Sequence, residues 1–454
     1  MTFGSQINNW RRDVLDLYRR SNSRSEAMHR RAEAVLPGGD SRSGVVLDPF
    51  SPFFVRGERS SLTDLDGNVR LDLANNSTSL AHGHAHPAIV AAVQAQAAAG
   101  TAWAGPSPAA VEWAEMLCDR IPSMERVRFT NSGSEAVAMA LKVARAFTGR
   151  DSVMKMHGAY HGNADQLEFR LDPRGSGSGR PVSEMQGIAS NLADNIVLGT
   201  FNDTDGVVEA IERNFARLAA VVITPVATVG WTEPASEFIE TVRAVTDRLG
   251  VLLVFDEVIS FRVARGGGQE RYGVQPDLTA LGKIIGGGLP VGAFGGRADV
   301  MRLTEPSTGP VVLHAGTFNA NPLTAAAGRA SLELLGPEAY ARLESTGARL
   351  RAGLAHVIPS GLPLRVTGVA SLVGLEFAAT DREWQSMQAL IDATLQLAFL
   401  NHGLHALRMC TTTVITDEEV NEAVAAVRDA LFELASYLPA ARAPARASGT
   451  SSGS

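Results

Sequence analysis

The stretch from Val251 to Gly296, VLLVFDEVISFRVARGGGQERYGVQPDLTALGKIIGGGLPVGAFGG, decides the fold of this chain. Its first five residues are apolar without interruption, which is typical of a strand buried on both faces of a parallel sheet. Asp256 follows as that strand ends, and ligands of open α/β sheets bind at the carboxyl ends of the strands. The pattern therefore predicts a covered parallel sheet with a carboxylate at its ligand-binding edge.

Lys283 lies further along the same stretch, among leucine, isoleucine and glycine residues. Such surroundings partly desolvate an amine and favour the neutral form that a Schiff base requires. The glycines allow a flat ligand to approach the backbone closely. A carboxylate that can hold a pyridinium nitrogen and a Schiff-base lysine are the pair that a pyridoxal phosphate (PLP) enzyme needs. Taken singly, Asp256 could equally be an ordinary strand-end acid or a Mg²⁺ ligand, and Lys283 a solvated surface charge.

The composition is that of a soluble globular protein, with 45% hydrophobic and 20% charged residues. A length of 454 residues suits one large domain and a smaller one. The net charge of −7 argues against nucleic acid or an anionic membrane as a partner. The chain shows neither a signal peptide nor an apolar run long enough for a membrane span. Its two cysteines, Cys118 and Cys410, suit a reducing cytosol, so we expect a cytoplasmic protein.

Three motifs in this order carry a family resemblance: Asp256-Glu257-Val258, the run from Pro276 to Arg297, and Gly316-Thr317-Phe318. They resemble the class III aminotransferases of PLP fold type I, and within them the glutamate-1-semialdehyde aminomutase-like group. The resemblance implies an α/β fold with a mostly parallel central sheet in a large domain. A smaller α+β domain is then formed by the N- and C-terminal segments. The expected limits are 1–74 for the N-terminal arm and small-domain meander, 75–330 for the PLP-binding domain, 331–440 for the C-terminal small domain and 441–454 for a disordered tail.

A candidate phosphate site, Ser132-Gly133-Ser134, opens a helix predicted to run through Ala146. Backbone N–H groups and the positive end of the dipole meet at such a helix start, although any N-cap sequence has the same appearance. The resemblance implies that these residues hold the PLP phosphate.

The resemblance also implies that Tyr160 stacks on the pyridine ring. Thr317 would reach the phosphate of the neighbouring subunit, so a homodimer with shared active sites is expected.

Arg42, in the loop Asp40-Ser41-Arg42-Ser43, is the first candidate for substrate binding. A guanidinium fork suits two-point carboxylate recognition, whereas an arginine in a loop is usually a surface charge. In the β-phenylalanine-type aminotransferases of this group, an arginine in a matching N-S-R-S loop binds the substrate carboxylate. Arg408 is a second candidate, either for a carboxylate or for a salt bridge.

The histidine cluster His82, His84 and His86 has a spacing that a metal site could use. No acid stands nearby, and the family's G-H-x-H-P stretch is a turn into a helix, predicted here at Ala88–Ala98. We therefore expect no metal.

Two departures from the family bear on the substrate. Thr224 precedes Pro225 where the family usually has glutamate, which retunes the substrate pocket or the handling of protons, or indicates an unusual or impaired reaction. The region Asn75–Ser79 lacks the Ser-Trp pair of the aminomutase, which argues against glutamate-1-semialdehyde.

Two further segments are predicted with alternatives. Residues 9–34 form amphipathic helices with Val14, Leu15, Leu17 and Tyr18 on one side, either as an arm across a dimer or as a frayed surface helix. The Gly- and Ser-rich stretch Pro173–Gly187 is either a mobile surface loop or a lid.

The function that these patterns favour is a PLP-dependent aminotransferase that moves an amino group between a β-amino acid, or a related amine, and a keto acid through Lys283. Its partners would be a small-molecule amine donor and a keto acceptor. A 2,1-aminomutase or an amino acid racemase on the same scaffold is the alternative. A non-catalytic PLP-fold protein is a third reading, motivated by Thr224 alone.

Overall fold

The computed structural model describes residues 2–172, 180–308, 312–379, 381–406 and 408–438. The predicted tail and residues 173–179 of the Gly- and Ser-rich stretch lie outside these ranges. The strands are β1 Phe54–Glu58, β2 Ser61–Asp64, β3 Val69–Asp72, β4 Arg126–Thr130, β5 Ser152–Met156, β6 Phe169–Arg170, β7 Val182–Ser183, β8 Ile196–Gly199, β9 Leu218–Ile223, β10 Leu252–Asp256, β11 Leu278–Gly282, β12 Gly292–Gly296, β13 Leu364–Thr367, β14 Leu372–Phe377, β15 Leu404–His405 and β16 Met409–Cys410. The right-handed α-helices are Phe3–Ser21, Ser23–Glu33, Pro87–Ala99, Pro108–Arg120, Gly133–Thr148, Thr204–Asn214, Ser236–Leu249, Gly268–Tyr272, Ala298–Met301, Pro322–Leu334, Pro337–Val357, Arg382–Asn401 and Asp417–Ser436.

The buried apolar strand predicted at residues 251–255 is β10, in the middle of a seven-stranded sheet of order β4-β12-β11-β10-β9-β5-β8. β10 pairs in parallel with β9 and β11, whereas β12 runs antiparallel to β11 and β4. Because parallel strands share their direction, the segments that follow β4, β5, β9, β10 and β11 all leave the sheet at one edge. Apart from Thr317, which comes after β12, the residues expected to bind the cofactor are at the ends of these strands or on the segments that follow them.

Both faces of this sheet are covered, as continuous apolar strands require. Alternate residues of β10 enter two different clusters: Leu252 and Val254 pack in one, Leu253 and Phe255 in the other. The helix Gly133–Thr148 supplies apolar side chains to the first cluster, and Ser236–Leu249 supplies them to the second. This period of two confirms that the unbroken apolar run is a strand buried on two sides.

The chain forms two compact units, each with its own core. The first unit combines the described parts of Met1–Ser77, Thr346–Thr367 and Val373–Ser454, and the second combines those of Thr78–Ser345 with Gly368–Leu372. The predicted domain limits at residues 74 and 330 stay predictions. The first unit contains the sheet β1-β2-β3-β15, in which β15 joins β3 in parallel although it comes from the C-terminal part of the chain.

The N-terminal helix Phe3–Ser21 buries Ile7, Trp10, Val14 and Tyr18 in the core of the first unit. It packs against the helix Arg382–Asn401 of the same unit, so it is not a frayed surface helix. The prediction for Leu17 is wrong, because that side chain is exposed. The buried residues follow the spacing of three and four that one helix face requires, and Leu17, three residues after Val14, lies at the exposed edge of that face.

The Gly- and Ser-rich stretch is flanked by a short hairpin, in which β6 pairs with β7. The prediction of a mobile loop or lid can be compared with the structure only from residue 180 onward, and there Val182 and Ser183 are part of a strand. None of the described helices is long and apolar enough to cross a membrane.

Candidate active site

Asp256 is the last residue of β10 and is almost completely buried. Its Oδ2 atom lies 2.8 Å from Nδ1 of His161, and its Oδ1 atom accepts the Val258 N–H at 3.1 Å. A carboxylate oxygen accepts hydrogen bonds, so this contact requires Nδ1 to be the donor nitrogen of the His161 ring. These two hydrogen bonds fix the carboxylate in orientation at the ligand-binding edge of the sheet.

Lys283 directly follows β11 at the same edge and is half-buried. Its backbone is in the left-handed region, with φ of 52°. Its Nζ atom donates to Oγ1 of Thr78 at 3.4 Å. A lysine in this conformation is uncommon, and such strain is concentrated at functional sites.

The other two lysines of the sequence do not compete for this role. Lys142 is exposed on the helix Gly133–Thr148. Lys155 is buried in β5, where its ammonium donates to the Leu167 carbonyl and burial lowers the pKa of its amine. Lys283 is therefore the amine that the fold places after a strand at the ligand-binding edge.

The candidate phosphate site is the start of the 16-residue helix Gly133–Thr148. Ser132 is its N-cap, and the Ser132 hydroxyl accepts the Glu135 N–H at 3.2 Å. Gly133 and Ser134 stand in the first turn, where N–H groups have no partner within the helix and the helix dipole is positive. Ser134 Oγ also accepts the N–H of Asn163 at 3.3 Å.

Close packing joins this helix start to the segments that carry Asp256 and Lys283. A Cβ atom on Gly133 would lie 2.8 Å from Cγ2 of Val258, and one on Gly282 would lie 3.5 Å from Cα of Gly133. A Cβ atom on Gly162 would lie 2.7 Å from Cα of Ser134. The segments that follow β4, β5, β10 and β11 are thus in contact, and a side chain at Gly133 or Gly162 would push them apart.

Tyr160 and Thr317 are both exposed. The Tyr160 hydroxyl donates to Oδ1 of Asn163 at 3.1 Å. Thr317 belongs to a loop that is tied to the segment before the phosphate site, because Asn131 Nδ2 donates to Asn319 Oδ1 at 2.9 Å. The stacking role of Tyr160 and the role of Thr317 towards a neighbouring subunit stay predictions.

Arg42 lies in the first unit and lines a cavity of about 120 Å³. Its Nη1 atom donates to Oδ1 of Asn76 at 2.7 Å. The cavity combines apolar with polar and charged side chains, and is lined by Asp40, Arg42, Val45, Leu47, Ser51, Pro52, Phe54, Ala74, Asn76, Ser77, Gln396, His405 and Ala406. Among the described residues, Arg408 is exposed and is not part of this lining, so its substrate role stays a prediction.

Several side chains around the site had no assigned role in the sequence. For His161, the one available signal in the sequence was its position next to the predicted Tyr160. For Thr78 and Arg262, the sequence contained no signal of a role in the site.

Glu257 is completely buried and accepts the N–H groups of Gly268 and Gln269, both at 2.9 Å. Burial raises the pKa of Glu257, and these bonds mark it as a structural cap rather than a reactive acid.

The donor set at this edge fits PLP. The first turn of the helix Gly133–Thr148 suits a phosphate, Asp256 suits a protonated ring nitrogen, and the Lys283 amine suits the aldehyde carbon. His161 supports this fit, since its Nε2 atom is buried and has no partner among the described residues. Thr224 stands where the family usually has glutamate. It is buried and directly follows β9, so it lies at the same edge of the sheet.

Known proteins resemble this chain over most of its length. The class-III aminotransferase family model matches residues 45–431. A glutamate-1-semialdehyde 2,1-aminomutase of Desulforudis audaxviator is 40% identical over 436 residues, which cover 90% of this chain and 98% of the relative. The structure of an omega-transaminase from Sphaerobacter thermophilus is 40% identical, with a TM-score of 0.85 over 90% of this chain and 98% of its own.

A β-phenylalanine aminotransferase from Variovorax paradoxus is 33% identical and has a TM-score of 0.85 over 95% of this chain and 99% of its own. PLP is the cofactor of the matching family, which confirms the predicted cofactor. The same matches confirm the predicted fold class, with a mostly parallel central sheet. The chain therefore belongs to the class-III aminotransferases, a family of PLP-dependent enzymes.

Proposed function

We propose that this enzyme is an aminotransferase that moves an amino group between a β-amino acid, or a related amine, and a keto acid, with Lys283 as the Schiff-base residue. The observation that carries the choice of substrate is the Arg42 guanidinium, which lines a cavity of about 120 Å³ beside Asn76. A cation with a planar fork, in a cavity that also has apolar walls at Leu47 and Phe54, suits a carboxylate that is attached to a hydrophobic body.

The roles of the site residues follow from their positions. Bound PLP supplies an aldehyde for the Schiff base and a ring that accepts negative charge from the reacting carbon. With PLP and substrate bound, the Lys283 amine would be the base that takes the proton from the amine-bearing carbon of the substrate. Asp256 holds the proton on the ring nitrogen, and the N–H of His161 keeps its carboxylate in place. Gly133 and Ser134, with their N-cap Ser132, hold the phosphate.

A homodimer with shared active sites is part of the proposal. Large apolar side chains are exposed on the second unit at Trp103, Val111, Leu313 and Phe318, as is common at protein–protein interfaces. Phe318 is adjacent to Thr317, the residue proposed to reach the partner's phosphate site. We further propose a cytoplasmic location, from the cysteine content given above.

A 2,1-aminomutase is the second candidate, because the curated relative of Desulforudis audaxviator carries that name. Such an enzyme, or a racemase, would turn over without a second substrate. The region Asn75–Ser79 argues against the aminomutase, since it lacks the Ser-Trp pair of that enzyme. A non-catalytic protein is not supported, because the family is enzymatic and both Asp256 and Lys283 are present.

The test is a half-reaction. The PLP-loaded enzyme is mixed with excess (S)-β-phenylalanine without an acceptor, and the visible spectrum is recorded. We expect the Schiff-base absorption to be replaced by that of pyridoxamine phosphate, with release of a keto product. In Lys283→Ala the Schiff-base absorption should be absent from the start. Product formed without any pyridoxamine phosphate would favour the aminomutase or the racemase.

Arg42 is tested by a matched pair of donors. We expect Arg42→Gln to raise the KM for (S)-β-phenylalanine by about 10- to 100-fold, the effect of losing one charged hydrogen-bonding partner. The KM for 1-phenylethylamine, which has the same aromatic body without the carboxylate, should stay the same. An equal loss for both donors would contradict carboxylate binding by Arg42.

A further inference from the structure

Thr78 has a backbone conformation that its residue type rarely adopts. It is the last of four consecutive residues with positive φ, from Asn75 at 46° to Thr78 at 71°. Asparagine tolerates this region, whereas a β-branched residue is strained in it. Glycine would adopt the same backbone without strain, whereas threonine adds a buried side chain at this position.

The Thr78 side chain contributes a hydroxyl group. Thr78 is about 1% exposed, and its Oγ1 atom lies 3.4 Å from Nζ of Lys283. The two residues are 205 positions apart in the sequence, so this contact is a product of the fold. A buried hydroxyl beside an amine limits the directions in which the amine can point.

A buried arginine holds Thr78 in this conformation. Arg262 is completely buried, and its Nη1 atom donates to the Thr78 carbonyl at 2.8 Å. Its Nε atom donates to Oγ of Ser371, also at 2.8 Å. A strained backbone persists only where its surroundings fix it, and a charged donor on the strained peptide does so.

We propose that Thr78 is a positioning residue for the Lys283 amine, and that Arg262 and Ser371 keep Thr78 in place for this purpose. The inference rests on the proposed role of Lys283 as the Schiff-base residue. After substrate exchange, the hydroxyl orients the released amine towards the proton on the substrate carbon. Correct orientation of a base is a direct part of its rate advantage.

The test compares Thr78→Val, which keeps the shape and the branching, with Thr78→Ser, which keeps the hydroxyl. The rate of the half-reaction should fall about five- to tenfold in Thr78→Val, the effect of one hydrogen bond. It should stay close to wild type in Thr78→Ser. Ser371→Ala should show a smaller loss in the same direction, because Arg262 remains bonded to Thr78.

A second measurement, of lysine reactivity, does not depend on enzyme activity. In the PLP-free full-length protein, the three lysines are acetylated with acetic anhydride and quantified by mass spectrometry. We expect Lys283 to react about fivefold faster in Thr78→Val than in wild type, since one partner of its amine is gone. Lys142 serves as the exposed reference, and the buried Lys155 should stay protected if the unit remains folded.

The outcomes separate the inference from the function on which it rests. Equal Lys283 labelling and equal half-reaction rates in wild type and Thr78→Val would overturn the inference, as would a Thr78→Ser enzyme that behaves like Thr78→Val. Either result leaves the Schiff base at Lys283 intact. Borohydride reduction that attaches PLP to Lys142 or Lys155 instead of Lys283 would overturn the proposed function itself.

Discussion

At the scale of single residues, the pair of His161 and Asp256 makes a sharp prediction. The Asp256 carboxylate is buried, and its Oδ2 atom lies 2.8 Å from Nδ1 of His161. Removing this donor in His161→Leu should lower the half-reaction rate about 10- to 100-fold, the usual effect of a hydrogen bond to a charged group. His161→Asn, whose amide can replace Nδ1, should keep most of the rate. Stopped-flow spectroscopy measures both, and an unchanged rate in His161→Leu would contradict the role of His161.

The same residues show what could be predicted from the sequence. Asp256 and Lys283 each follow a strand pattern directly, so their place at the edge of the sheet was readable from neighbours in the chain. His161 stands 95 positions before Asp256, and Thr78 stands 205 positions before Lys283. Their contacts depend on the packing of separate segments, which no local pattern encodes. Positive φ at Thr78 is likewise imposed by tertiary contacts rather than by residue preference.

At the scale of elements, His82 connects the segment before one helix to another helix, and it predicts a pH dependence of the stability. It lies before the helix Pro87–Ala99, and its Nε2 atom donates to the Ser331 carbonyl of the helix Pro322–Leu334 at 3.0 Å. Burial lowers the pKa of His82 from 6.5 to about 4. The unfolded chain therefore binds a proton at His82 between pH 6.5 and pH 4 that the folded chain does not bind, so the contribution of His82 to stability is lost as the pH falls through this range.

The variant His82→Gln keeps an amide donor for Ser331 but cannot titrate. Between pH 7 and pH 5 we expect wild type to lose about 2 kcal/mol more free energy of unfolding than His82→Gln does, as measured by urea denaturation. His356→Gln, a change of an exposed histidine near the end of the helix Pro337–Val357, should lose as much as wild type. A pH dependence in His82→Gln equal to that of wild type would show that other groups are responsible.

Elements with a single dominant signal were predicted best. β10 is an unbroken apolar run, and the structure has it within one residue of the predicted limits. The buried face of the helix Phe3–Ser21 was harder, because Leu17 is apolar and three residues after Val14 yet is exposed, whereas Leu15 is partly buried against the core. Apolar residue type alone does not decide which side of a helix meets the core.

At the scale of the whole molecule, the proposed dimer makes its own prediction. If Thr317 serves the phosphate site of the partner subunit, a mixed dimer of Lys283→Ala and Thr317→Ala chains contains one site with both changes and one site with neither. Random exchange gives mixed dimers in half of the population, so about one quarter of all sites should become native. Light scattering should give the mass of a dimer for each variant.

The measurement uses a PLP concentration at which Thr317→Ala dimers stay empty and Lys283→Ala dimers are inactive. The two variants are mixed under conditions that allow subunit exchange, and aminotransferase activity is followed. Recovery towards one quarter of the wild-type rate is expected, because the intact site combines Lys283 of one subunit with Thr317 of the other. If Thr317 instead served its own subunit, each chain in a mixed dimer would keep its own defect and no activity would return. A return of activity would therefore show that each active site is built from both chains.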